Sequence, residues 1–345
     1  MDLIVCGVGW AGSRHALAAQ EIARSGEDVR VVALVDPDAQ HLAAQLEAVG
    51  VESGYADLEA ALAAHPDAAG VVVASPHHLH RPHGEQAAAA GCHVLVEKPM
   101  TLTLEDADAM IEACEAAGVT CMVAESARYE RPLTDLRDVL AAGRIGELLY
   151  ARISHISGGH HTYAYPGRRA WLADPAVCGG GIWMLNGIHV ASATRMLMGE
   201  VGRIYARTVA SSAFESELEG TVASELEFVS GAVGHVTVSA ELHGYHRFGD
   251  IVIFGSEGTA ECNWRYSREV RVFTGGDEPD VIDCGEPRPP GGAPAGFVRQ
   301  MREFLDAVRT GRAPYTAAAS ERRSLELVLA GYESARTGEP VEVSE

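Results

Sequence analysis

Two hydrophobic periodicities follow one another along the chain. Up to residue 124, short apolar runs at 3–8, 29–35, 70–74, 93–96 and 119–124 alternate with helix-forming stretches at 13–24, 40–49, 58–64, 82–90 and 104–117. Unbroken apolar runs of this length, separated by helices, predict a parallel sheet buried on both faces. Beyond 124 the texture changes. A helix at 132–142 and a strand at 148–156 lead into a polar and aromatic loop, then a helical segment through Asn186, His189 and Arg195 to Met198. Period-two alternation next predicts strands at 203–209, 221–228, 232–239, 251–254 and 269–273, which read as one open antiparallel sheet. A Pro- and Gly-rich irregular loop at 286–296 precedes two amphipathic helices at 297–309 and 320–336. The pattern thus predicts an α/β chain of two domains, 1–124 and 125–345.

The first apolar run ends in Gly7-Val8-Gly9-Trp10-Ala11-Gly12, and the second ends at Asp36, 24 residues beyond Gly12. This is the order of a dinucleotide-binding βαβ unit. The glycines permit a tight turn and close approach to a pyrophosphate, the helix N-terminus stabilises its charge, and the acid accepts hydrogen bonds from ribose hydroxyls. The same carboxylate repels a ribose 2′-phosphate, so NAD is expected, with NADP accepted only if a nearby arginine, for which Arg14 is the candidate, offsets that repulsion. Ligands of such sheets sit beyond the carboxyl ends of the strands. Ser75-Pro76 and Glu97-Lys98-Pro99 occupy two of those ends and should border the same crevice. His77, His78 and His83 read as solvated or helix-starting residues, and His80 as one that caps or orients the next helix.

Composition sharpens one of these turns. The chain holds 27 Lys and Arg together, and Lys98 is the single lysine among them. A coding bias toward arginine replaces a solvated lysine freely, but not one whose amine must titrate or change partner. The formal net charge of −21 argues against nucleic acid or an anionic membrane as partner. Anionic substrates stay open, because local arginines can dominate a pocket. Seven cysteines with no close pair fit a reduced, cytoplasmic setting, and no apolar run is long enough to span a bilayer. The adjacent His160 and His161 have no matching carboxylate or thiol, so no metal is expected. Trp171 and Trp183 read as core.

Along nearly its whole length the chain resembles the Gfo/Idh/MocA oxidoreductase family. The resemblance rests on Gly7 to Gly12, Asp36, Ser75-Pro76 with His80, the segment Ala90-Gly91-Cys92-His93-Val94-Leu95-Val96-Glu97-Lys98-Pro99, and Gly179-Gly180-Gly181 followed by Gly187-Ile188-His189. It implies an N-terminal Rossmann domain and a C-terminal α/β domain with an open, mostly antiparallel sheet whose face makes a homo-oligomer contact, as a dimer or tetramer. It also implies a sugar, cyclitol or related polyol as substrate. Carried over by position, Lys98 matches the catalytic lysine and His189 the catalytic histidine. The aspartate usual four residues before that histidine is Leu185 here, and Asn186, about 100° further round a helix, is the nearest polar group.

The dinucleotide site is accordingly expected to comprise Gly7, Gly9, Trp10, Ala11, Gly12, Asp36, Ser75, Pro76, His80, Glu97 and Lys98. The substrate site is expected to comprise Lys98, Tyr163, Arg169, Asn186 and His189. In this reading His189 is the general acid/base and Lys98 stabilises an alkoxide or shares the proton. Three alternatives share the fold: a cis-dihydrodiol dehydrogenase, which the apolar Leu185 keeps in view, an NAD-dependent glycosidase, and an NAD-binding regulator without turnover.

Overall fold

The structure, a computed structural model, describes residues 1–158, 169–212, 218–242, 249–264, 268–285 and 292–343. Tyr163, with His160, His161, Tyr165 and Arg168, lies outside the described residues. The chain forms two units, one of Met1–Tyr129 with Arg288–Arg322, the other of Glu130–Pro287 with Arg323–Glu345.

The first unit is built on a six-stranded parallel sheet of β1 (Asp2–Cys6), β2 (Arg30–Val35), β3 (Gly54–Tyr55), β4 (Gly70–Val73), β5 (His93–Glu97) and β6 (Cys121–Ala124), in the order β3-β2-β1-β4-β5-β6. Val71, Val72, Val73, Val94, Leu95 and Val96 are fully buried, as strands covered on both faces must be. The helices are α1 (Trp10–Arg24), α2 (Ala39–Val49), α3 (Leu58–Ala64), α4 (His80–Ala89) and α5 (Leu104–Ala116). Side chains of Asp38, Asp57 and Thr103 cap α2, α3 and α5, accepting first-turn N–H groups that would otherwise lack partners. Helix α1 departs from this: it begins directly after Gly9, three residues before the expected start, with no side-chain cap.

A division into 1–124 and 125–345 leaves out one segment of this unit. The helix Ala295–Thr310 packs on α1, with the Phe297 ring 6.1 Å from that of Trp10 and 4.9 Å from that of His15. Met301, Phe304 and Leu305 share a core with Leu3, Ile22 and Leu34. The apolar stripe of this helix shows that it packs, but not on which domain. The first turn of the helix also takes in residues 295–296 of the expected 286–296 loop, of which 286–291 lie outside the described residues.

The second unit contains α6 (Arg131–Ala141), the helix Ile188–Met198 and a nine-stranded sheet. Its strands are β7 (Leu148–Ile156), β8 (Val201–Ala210), β9 (Glu219–Phe228), β10 (Val233–Ser239), β11 (Asp250–Gly255), β12 (Thr259–Asn263), β13 (Glu269–Phe273), β14 (Asp280–Asp283) and β15 (Val341–Glu342), in the order β14-β13-β12-β11-β7-β10-β9-β8-β15. The sheet is mostly antiparallel. The exception is β7 against β10, which pair in parallel because the chain returns between them through a long crossover carrying the helix Ile188–Met198. Strands β3, β12, β14 and β15 are additional to the sequence expectation; they have two, five, four and two residues. In β9, Val222, Ser224, Leu226 and Phe228 are buried while Ala223, Glu225 and Glu227 are exposed, the alternation of a sheet with one face packed and the other solvated. Among the described residues no helix is long and apolar enough to cross a membrane.

Candidate active site

At the carboxyl end of the first sheet, β1 runs into the glycine turn. Gly7 holds φ +87°, and a Cβ on it would lie 2.5 Å from the carbonyl oxygen of Ala74. A Cβ on Gly12 would overlap the carbonyl oxygen of Gly7, whereas one on Gly9 would meet nothing within 4 Å. Gly7 and Gly12 are therefore glycines because protein backbone is close, and Gly9 faces open space. An uncapped helix start beside an open glycine is a cradle suited to a pyrophosphate. Trp10 is 53% exposed, and the Arg14 guanidinium lies 3.8 Å from its ring centroid while donating to the Trp10 carbonyl oxygen at 2.7 Å. That stacking on its own helix is what the structure gives for Arg14.

Asp36 follows β2 and is buried. Its Oδ2 accepts the Val8 N–H at 3.4 Å and its Oδ1 accepts the Asp38 N–H at 3.1 Å. From the end of β2 the carboxylate thus braces the glycine turn.

The turns after β4 and β5 are tied together by His80. Its Nδ1 lies 2.8 Å from the Pro99 carbonyl oxygen and its Nε2 lies 2.8 Å from the Ser75 carbonyl oxygen. Burial lowers the His80 pKa, opposed by those two carbonyls and by Glu97. The residue begins α4 but does not cap it; its role is to hold Ser75-Pro76 against Lys98-Pro99. His77 is buried rather than solvated, its ring 5.5 Å from that of His80. His83 reaches the Ser75 hydroxyl at 2.9 Å. Lys98 is half-buried, and its backbone N–H donates to Glu97 Oε2 at 3.2 Å. Glu97 Oε1 accepts from His15 Nε2 at 2.9 Å, and His15 is wholly buried on α1. The first unit therefore brings Gly7, Gly9, Gly12, Asp36, Ser75, His80, Glu97 and Lys98 to one end of its sheet.

In the second unit, His189 is buried in the first turn of the helix Ile188–Met198. The residues before it, Trp183–Gly187, form a π-helical turn, so the 100° step of an α-helix does not apply between Leu185 and Asn186. Both are half-buried. The Asn186 amide donates to His155 Nε2 at 3.2 Å, and the His155 ring lies 5.5 Å from that of Trp264, tilted by 50°. Glu219, at the start of β9, accepts the N–H of Gly181 at 3.0 Å and of Trp183 at 2.9 Å. The Tyr332 hydroxyl donates to the same carboxylate at 2.7 Å and accepts the Met184 N–H at 3.0 Å. Trp183 is core, its Nε1 donating to the Val328 carbonyl oxygen. Arg169 precedes a short helical turn at Ala170–Ala173.

His15, His155 and Glu219 are site residues absent from the sequence expectation. His155 lies in phase with the buried Ala151 and Ile153, and His15 lies on the buried stripe of α1 with Ala16, Ala19 and Ile22, so both had a signal. Glu219 had none.

Comparison with known proteins assigns both units. Residues 1–125 match the model of the oxidoreductase family with an NAD-binding Rossmann fold, and residues 133–261 match the Gfo/Idh/MocA C-terminal domain. The chain belongs to the Gfo/Idh/MocA family of oxidoreductases. Relatives within it include D-apiose dehydrogenase of Paraburkholderia graminis, 30% identical over 98% of this chain and 88% of that protein. D-xylose 1-dehydrogenase (NADP(+)) 2 of Haloferax volcanii is 29% identical over 90% of this chain and 91% of that protein. Levoglucosan dehydrogenase in complex with NADH and levoglucosan shares the fold, with a TM-score of 0.90 and 22% identity over the full length of both chains. This Gfo/Idh/MocA member is thus an enzyme of the dehydrogenase and reductase class with an NAD-binding Rossmann unit. Its glycine turn, uncapped α1 and Asp36 fit that cofactor.

Proposed function

We propose that this enzyme oxidises, or in reverse forms, a secondary hydroxyl of a sugar, cyclitol or related polyol with NAD as partner, using Lys98 and His189. The observation that carries the reading is the single lysine, half-buried at the carboxyl end of β5 beside the glycine turn. Gly9, the start of α1 and Asp36 would hold the dinucleotide, whose nicotinamide accepts the hydride when bound. Lys98, as an ammonium, stabilises negative charge developing on the substrate oxygen. His189 takes or returns the hydroxyl proton. Arg169 and Asn186 contribute polar contacts to the substrate. The buried Asp36 carboxylate, with Arg14 stacked on Trp10, supports NAD over NADP.

A panel of aldoses, inositols and cyclic diols, followed by NADH absorbance, tests the reading. NADH formation with a polyol, abolished by Lys98→Arg, is the expected outcome. The half-buried Leu185 supports a second reading, a cis-dihydrodiol as substrate, because a less polar ring needs fewer charged contacts. Preference for cyclic diols would favour it. Substrate cleavage without net NADH would indicate a glycosidase, and NADH binding without turnover across the panel a regulator.

The solvated face of the nine-stranded sheet supports assembly as a homo-oligomer. It carries Phe254 and Val233 exposed, with Tyr150, Arg152 and His235 lining a shallow depression. The seven free cysteines and the negative charge support a cytoplasmic setting without nucleic-acid or membrane partners.

A further inference from the structure

The turn that carries Lys98 is anchored on both sides of the lysine. On one side, Glu97 Oε2 accepts the Lys98 N–H while Oε1 accepts from His15. On the other, the Pro99 carbonyl oxygen is held by His80. His15 stands on α1, the helix whose N-terminus follows Gly9, so one imidazole connects the dinucleotide helix to the lysine turn. Because a carboxylate only accepts, His15 Nε2 must donate. Among the described residues its Nδ1 has no hydrogen-bond partner, and its ring lies 4.9 Å from Phe297, an apolar contact that suits a bare nitrogen rather than a second N–H. A fully buried histidine used for one directed hydrogen bond to a carboxylate next to the working lysine is poorly explained as core filling.

We infer that His15 is a positioning residue: acting through Glu97, its Nε2–H sets where the Lys98 amine stands relative to the dinucleotide seated on α1. The inference rests on the proposed role of Lys98 but is tested apart from it. His15 touches neither substrate nor cofactor in this scheme. It fixes the rotamer of Glu97, Glu97 fixes the Lys98 backbone, and the side chain extends from a defined origin.

Because the chain has a single lysine, protein grown with lysine labelled with ¹³C at the ε-carbon gives one side-chain resonance that reports on Lys98 alone. In His15→Phe, which keeps a ring against Phe297 but removes the donor, that resonance and its titration midpoint are expected to shift. Glu97→Gln should shift them too, and the double variant should add nothing to the larger single effect. His15→Gln, which restores an N–H donor, should return the resonance toward wild type, and His65→Phe, outside this chain of bonds, should leave it in place. In turnover, His15→Phe should lower kcat by about 10- to 100-fold, the range expected for a misplaced group, with KM for NAD within about twofold. An unmoved Lys98 resonance in His15→Phe, or a His15→Gln protein indistinguishable from it, overturns the inference. If His15→Phe does not fold, the comparison of His15→Gln with Glu97→Gln decides in the same way. Full activity in Lys98→Ala would instead remove the proposed role of the lysine and leave the resonance result standing, so the two failures are distinct.

Discussion

The α-carbon of Gly12 lies so close to the carbonyl oxygen of Gly7 that a Cβ on Gly12 would overlap it. Three residues earlier, a Cβ on Gly9 would enter empty space. The three glycines of the turn are thus required by different neighbours, and their alanine variants should fail differently. Gly12→Ala should lower the midpoint of thermal unfolding and weaken NADH binding together. Gly9→Ala should leave the midpoint within about 2 °C, because the added methyl meets nothing within 4 Å, while raising the NADH dissociation constant by tenfold or more. Equal loss of stability in both variants would show that Gly9 is needed by the fold rather than by the ligand.

Asp36 presents one carboxylate to two backbone N–H groups, and removing it should change cofactor choice. In Asp36→Ser the repulsion of a 2′-phosphate is gone and a hydroxyl remains to meet Val8. The ratio of kcat/KM for NAD to that for NADP is expected to fall by about tenfold or more, equivalent to ~1.4 kcal/mol. An unchanged ratio would mean that Asp36 serves the glycine turn alone.

Lys98→Arg keeps the positive charge and loses the titratable amine. A drop in kcat of about 10²- to 10⁴-fold with NADH binding retained is the expected result. Turnover near wild type would leave the lysine a charge and nothing more.

Glu219 collects three donors, the N–H groups of Gly181 and Trp183 and the hydroxyl of Tyr332. Glu219→Ala leaves them buried without an acceptor and should cost on the order of 3 kcal/mol or more, while Tyr332→Phe should cost about 1 kcal/mol. Because Glu219 fixes the turn that leads to His189, kcat should fall in Glu219→Ala as well. The double variant should be less than additive by thermal unfolding, and full additivity would show that the two residues act independently.

Acid should destabilise the first unit through histidines that the fold keeps neutral. Burial lowers the pKa of His93 from 6.5, and its Nδ1 accepts the Thr120 N–H at 3.0 Å, a bond that protonation would break. His83 shifts the same way, also chiefly by burial. A folded pKa below the unfolded value means that the unfolded chain takes up the proton first. The stability is therefore complete above pH 6.5 and is lost as pH falls from there toward the folded values. Thermal unfolding midpoints from pH 7.5 downward should drop below about pH 6.5, and less steeply in His93→Asn, whose amide oxygen can replace the accepting nitrogen without titrating. An identical slope in that variant would assign the acid sensitivity to other groups.

The sequence by itself determined the βαβ order, the glycine turn, the acid at the end of the second strand and the single lysine in its strand-end turn. Each of these is legible in local chemistry: a period of apolar residues, glycines at a strand-to-helix turn, or one lysine in a chain that otherwise uses arginine. The same local character made the strands of the second sheet visible where they were long enough to alternate. The tertiary structure decided the rest. The helix Ala295–Thr310 shows its apolar stripe in sequence, but only packing reveals α1 as its partner. His15 meets Glu97 across 82 residues, and Glu219 meets Gly181 across 38. A hydrogen bond between groups so far apart in sequence leaves no periodicity behind, because its geometry exists only once the segments carrying its two ends have packed.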